Sequence, residues 1–149
     1  MRTTDFSAAP PQGQATAMFI GATRYSGPLA MWHTIRTWGP MIRQMKRMSG
    51  YRWHTVYYQF PFTLGTIAFF ADQDAMLKFA RSRHHRELMC WLTDSGDARH
   101  ATAGFIRLFT AQPHGYSNGE WRAEDGSMSH MPTWTPLSTE VTGPSVHRS

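Results

Sequence analysis

Apolar positions along the chain fall into strand-length and helix-length blocks separated by turn residues. Residues 17–25, AMFIGATRY, are largely apolar, with two aromatics, and predict a strand. Ser26-Gly27-Pro28 punctuates it, with Pro28 suited to the first turn of a helix. Met31, Ile35, Trp38, Ile42 and Met45 then recur at spacings of 4, 3, 4 and 3, one helical stripe. Gly39-Pro40 falls inside that stripe. Proline lacks the ladder donor and crowds the preceding turn, which predicts a kink or two helical pieces. Ser49-Gly50 supplies a stop. Residues 52–59 and 63–70 read as two strands joined through Phe60-Pro61-Phe62. Asp72 is placed as the N-cap of a helix running towards Leu92, with Met76, Phe79, Ala80, Leu88 and Trp91 on its inner side. Residues 95–103 are polar, with room for a short helix, and residues 104–111, GFIRLFTA, read as the last strand.

The resulting order, β-α-β-β-α-β, is the ferredoxin-like motif of the α+β class, with two main helices on one face of a four-stranded sheet. In the first strand Met18, Ile20 and Ala22 oppose Phe19 and Tyr25. In the third, Leu64, Ala68 and Phe70 oppose Ile67 and Phe69. Both sheet faces are therefore apolar, and two helices can cover only one. A second copy of the chain on the open face, a homodimer, is the expected cover.

The two ends differ from this core. Residues 1–16 contain a Pro-Pro pair, Gly and small polar residues and read as a flexible leader. Residues 123–149 are rich in Ser, Thr, Pro and Gly, with scattered Met128, Met131 and Trp134, and read as a disordered or surface-draped tail. The domain proper is expected over residues 17–122. Residues 1–17 lack the apolar stretch of a secretory signal, and the longest purely apolar run, residues 67–71, is far short of the ~18 residues that mark a membrane span. The chain is expected in the cytoplasm, with no membrane partner. Its single cysteine, Cys90, excludes an internal disulfide and is expected to fill core space.

The net charge of +5 is unevenly distributed. From residue 123 onward three acids face one arginine, a net −2, so the preceding part carries +7. Between Asp5 and Asp72 there is no acid, while Arg24, Arg36, Arg43, Lys46, Arg47 and Arg52 fall in that gap. A solvated basic helix face, an anionic small ligand and, last, nucleic acid are the readings of this pattern. The basic density is below that of a dedicated nucleic-acid arm.

Among chemically versatile residues only histidine is plentiful, at eight copies. Neither H-x-x-x-H nor H-E-x-x-H occurs, and acids are scarce, so zinc or non-haem iron has little support. No G-x-S-x-G elbow marks a hydrolase. The densest segment is residues 79–91, FARSRHHRELMCW, with His84 and His85 among Arg81, Arg83 and Arg86. Two readings fit it. One is a site for a large flat anion with an apolar body, such as haem, which takes an axial imidazole, cations for its propionates and apolar side chains for its ring. The other is a helix whose basic residues are solvated and whose histidines are incidental.

Residues 65–87, GTIAFFADQDAMLKFARSRHHRE, resemble the second half of small dimeric α+β-barrel monooxygenase-like proteins, particularly the spheroidene monooxygenase-like group. The shared pattern is an apolar strand, an acidic cap followed by Ala-Met, then Phe79-Ala80 and, further on, His85-Arg86. Residues 107–121, RLFTAQPHGYSNGEW, resemble that group's last strand with its following Gly and Trp. The likeness spans about residues 17–122. It implies a dimeric barrel, oxidoreductase chemistry of the monooxygenase type and, through the carotenoid-oxidising member, haem-dependent oxidation of a hydrophobic small molecule. His85 would then be the axial ligand, with His84 its rival and Arg86 or another cation meeting a propionate. His54 and Arg24, on strands, are the distal catalytic candidates; each has a plain alternative as a surface polar residue. Helical phase places His84, not His85, with Met76, Ala80, Leu88 and Trp91. A break near Ser82 would remove that conflict. His84 itself and the tail depart from the group's pattern.

Related barrels include cofactor-free oxygenases, so two alternatives accompany the haem reading. One is oxidation of an electron-rich aromatic that itself activates oxygen, the protein supplying a base and a confined apolar site. The other is a non-enzymatic carrier of haem or another hydrophobic ligand. Trp32, Trp38, Trp53 and Trp91 are expected as core or dimer contacts.

Overall fold

A computed structural model describes residues 2–93 and 99–123. The expected tail from residue 124 and residues 94–98 lie outside the described residues. The chain divides into two compact units, residues 9–113 and the terminal segments. In the terminal unit β1 (Arg2–Thr3) pairs antiparallel with β6 (Gly115–Tyr116), so part of the expected leader takes up a backbone ladder. The Phe6 ring packs over Gly115, whose missing Cβ would sit 2.9 Å from it.

The larger unit holds β2 (Ala17–Tyr25), α1 (Pro28–Arg47), β3 (Tyr51–Gln59), β4 (Thr63–Phe70), α2 (Gln73–Ala80), α3 (Arg83–Thr93) and β5 (Ala101–Thr110). Its sheet is antiparallel in the order β3-β4-β2-β5. This is the ferredoxin-like α+β architecture that the element order predicts. The register puts Phe19, Gly21, Thr23 and Tyr25 of β2 beside Ala68, Thr66 and Leu64 of β4 on the helix-covered face. Met18, Ile20, Ile67 and Phe69 lie on the other.

The core sits between sheet and helices. Met41 and Met45 of α1, Ala75, Met76 and Phe79 of α2, and Ala17, Ala68 and Phe70 of the sheet are all buried. Phe19, Phe70 and Phe79 form a triangle with ring centroids 5.8–6.2 Å apart. Asp72 caps α2 as expected, its carboxylate accepting from the Ala75 N–H at 2.7 Å.

Three expectations are corrected. First, α1 runs unbroken through Pro40. Gly39 has no Cβ to crowd the proline ring, and Met41 and Met45 hold the following turns in the core. Second, the expected single helix from Asp72 is two, broken at Arg81-Ser82. Third, Cys90 is exposed: the break re-phases α3, so His85, Leu88, Met89 and Leu92 turn inward and Cys90 outward. Of the tryptophans expected in the core or at a dimer contact, Trp32 and Trp53 are exposed and lie outside the core.

Gly50 links α1 to β3 in the left-handed region at φ 89°, and a Cβ there would sit 2.5 Å from the Ala75 methyl. Gly50→Ala should therefore cost about 1–3 kcal/mol from backbone strain alone, read as a lowered urea midpoint at unchanged m-value. An unchanged midpoint would contradict the tight approach of α2 to this turn.

Candidate functional site

Between the sheet and α3 lies a small cavity of about 80 Å³, walled by Phe19, Trp38, Ile42, Leu88, Phe105 and Ile106 among others. A wider groove of about 470 Å³ between α3 and β5 shares Thr23, Met89, Leu92, Phe105 and Ile106 with it, so the cavity opens towards that edge of the sheet. Small side chains make this space: α1 and α3 supply long apolar side chains, while β2 contributes Gly21 and Thr23 beneath them.

His85 is the cavity's ionisable imidazole. The break after α2 brings the Ala80 carbonyl within 2.9 Å of its Nδ1. A carbonyl only accepts, so Nδ1 carries the proton in the neutral ring and Nε2 keeps its lone pair for whatever enters. Phe79 holds the ring on one side at 5.1 Å between centroids. Burial pushes the His85 pKa below the usual imidazole value, the Ala80 hydrogen bond offsetting part of that. The group is a neutral base at neutral pH.

The remaining polarity comes from Thr23, Tyr25 and Thr66. Tyr25 is buried, and desolvation raises its pKa, partly opposed by the Thr34 and Thr23 hydroxyls, so it stays a phenol. None of these three was among the candidates, although the alternation Phe19, Gly21, Thr23, Tyr25 places Thr23 and Tyr25 on the face that turns inward.

The other predicted residues do not join His85 in the cavity. His84 is on the far side of α3, its Nδ1 3.5 Å from Glu87, in a separate groove with His33, Thr37, Pro40 and Trp91. Arg86 is exposed and lines neither the cavity nor the adjoining groove. His54 sits on β3 with Nδ1 2.6 Å from the Tyr51 hydroxyl; burial, then Lys46, lowers its pKa. Arg24 is exposed, its Nε donating to Thr102 at 3.1 Å. His33, Trp91 and His100 stack in series at 4.5 and 4.2 Å. Among the described residues no group of three or more His, Cys, Asp or Glu side chains is arranged to hold a metal ion.

Haem meets one of its requirements here. The tautomer of His85 suits an axial ligand, because its other nitrogen is held by a carbonyl. Yet the inner cavity holds only about 80 Å³, so a haem bound through Nε2 would have to extend into the adjoining groove of about 470 Å³. No Lys or Arg lines the cavity or the groove to meet a propionate. The lining thus offers haem an axial ligand and no partner for its propionates.

The chain matches no protein-family model and no curated protein sequence. Solved structures do match. SnoaB, a cofactor-independent oxygenase from Streptomyces nogalater, is 18% identical over 66% of this chain and 94% of that one, at a TM-score of 0.50. A structure described as an antibiotic biosynthesis monooxygenase is 14% identical over 65% and 99%, at 0.54. Rv0793 from Mycobacterium tuberculosis is 13% identical over 66% and 96%, at 0.55. At these identities the likeness establishes the fold, the ferredoxin-like α+β fold of the antibiotic biosynthesis monooxygenases. Among the described residues no helix is long and apolar enough to cross a membrane.

The lowered His85 pKa has a consequence for stability. Below the unfolded imidazole value of ~6.5, the unfolded chain binds a proton that folded His85 refuses. Stability should therefore fall as pH drops from that value through the lowered folded pKa, then level off. Urea midpoints across this range should show the loss, and His85→Gln should flatten it relative to wild type; an equal slope in both proteins would assign the loss elsewhere.

Proposed function

We propose that this protein is a cofactor-independent monooxygenase that oxidises an electron-rich aromatic small molecule. The observation that carries the reading is His85: a desolvated imidazole in an apolar cavity, its Nδ1 proton committed to the Ala80 carbonyl and its Nε2 left to act as a base. The fold shared with a structure described as a cofactor-independent oxygenase supports it.

The substrate enters by the groove between α3 and β5 and brings only its reacting edge to His85, which a small inner cavity permits. His85 takes a proton from an acidic C–H of the substrate. The apolar walls exclude water, which leaves the anion less solvated and more reducing. That anion gives its electrons to dioxygen, and a new C–O bond forms as a hydroperoxide. Loss of water with the second hydrogen of that carbon leaves a carbonyl: one oxygen atom enters the product, the other leaves as water, and both electron pairs come from the substrate.

The test is oxygen uptake by purified protein with a series of polycyclic phenols and their keto tautomers, with no cofactor added. Uptake undiminished by a chelator is expected, with kcat falling about 100-fold or more in His85→Ala. No uptake with any member, or an unchanged rate in that variant, overturns the reading. A Soret band on adding haem that disappears in His85→Ala would instead favour the haem-dependent oxygenase, for which the His85 tautomer is the supporting observation.

The same proposal includes a homodimer across the open sheet face, where Ile20, Ile67 and Phe69 lie beside exposed Trp53 and Phe109. Sedimentation velocity should give a dimer for the wild type and a monomer for Ile20→Glu/Ile67→Glu. A wild-type monomer would leave that face without its expected cover.

A further inference from the structure

The outer side of α1 carries a second surface. At 3.6 residues per turn, Leu29, Trp32, Arg36, Arg43 and Arg47 fall within an arc of about 60°. They lie opposite Thr34, Met41 and Met45, which are buried. All five are exposed, Leu29 at 84% and Trp32 at 58%. Ile35, at 41%, and Lys46 flank the arc. No acid occurs in α1, and Glu87 on the neighbouring α3 is taken by Arg83 at 2.7 Å. The face is thus apolar towards the helix start and cationic towards its end. It belongs to the helix layer, so a dimer across the open sheet face leaves it uncovered.

We propose that this face of α1 docks on an anionic lipid surface. Charge complementarity selects an anionic partner. The exposed Leu29 and Ile35 favour lipid over nucleic acid, because aliphatic side chains gain free energy in the acyl boundary of a bilayer and little against phosphates. Trp32 suits the headgroup level, where its ring is half in apolar surroundings. A convex helix about 30 Å long lays five such side chains on a planar interface without needing a groove. The expectation of no membrane partner rested on the absence of a spanning stretch, and surface docking requires none. An enzyme held there meets an apolar substrate where such molecules concentrate, although the docking itself does not depend on the oxygenase reading.

Co-sedimentation of the full chain with vesicles tests this without any turnover. Binding is expected to vesicles of phosphatidylcholine mixed with phosphatidylglycerol, and not to phosphatidylcholine alone. Arg36→Gln/Arg43→Gln should weaken it about 25-fold, at roughly fivefold per cation. Trp32→Ala should weaken it about tenfold, at unchanged thermal stability because the side chain is exposed. Failure to bind the anionic vesicles overturns the proposal, as does equal binding to both compositions. Capture of a DNA duplex that competes with the vesicles, depends on the arginines and ignores Trp32→Ala would assign the face to nucleic acid instead.

Discussion

The packing of Phe79 against Phe19 and Phe70 is the contact on which the rest of the larger unit depends. It fastens the end of α2 to the two central strands, and the chain then has two residues in which to turn before α3 begins. That short turn leaves the Ala80 carbonyl unsatisfied by the helix ladder and within reach of His85. One aromatic contact therefore sets the site of the helix break, the phase of α3, the tautomer of the imidazole and one side of its ring.

This dependence explains which parts of the molecule were legible in the sequence. Each main element of the larger unit was readable, because its apolar period is local: alternation in β2 and β4, the 3–4 spacing in α1, an aspartate at the head of α2. The order of those elements carried the fold class with it. The second helix was harder. Taken as one continuous helix from Asp72 to Leu92, its phase turns His84 inward; broken at Arg81-Ser82, it turns His85 inward. What breaks it is the seat of Phe79 in a core assembled from distant segments, which no window around Ser82 contains. Cys90 was misplaced for the same reason.

The cavity follows a related logic. Thr23, Tyr25 and Thr66 look unremarkable in sequence, since each sits in a strand of ordinary composition. Their interest arises only from register: Gly21 opposite Thr66 and one step from Thr23 leaves room under α1 and α3. The resemblance of residues 65–87 to a haem-associated group drew attention to His85. It could not report the width available around Nε2, which the walls on α1 and β5 decide, nor that Arg24 and His54 are turned to other surroundings.

The position of β5 adds a kinetic side to this architecture. It supplies Phe105 and Ile106 to the cavity wall, yet among the described residues it is an edge strand, hydrogen-bonded only to β2 and exposed along most of its length. An edge held on one side opens locally at lower free energy than a central strand. The wall with the weakest backbone support is thus also the one beside the groove into which the cavity opens. Widening of the cavity on that side then takes the breathing of a single ladder.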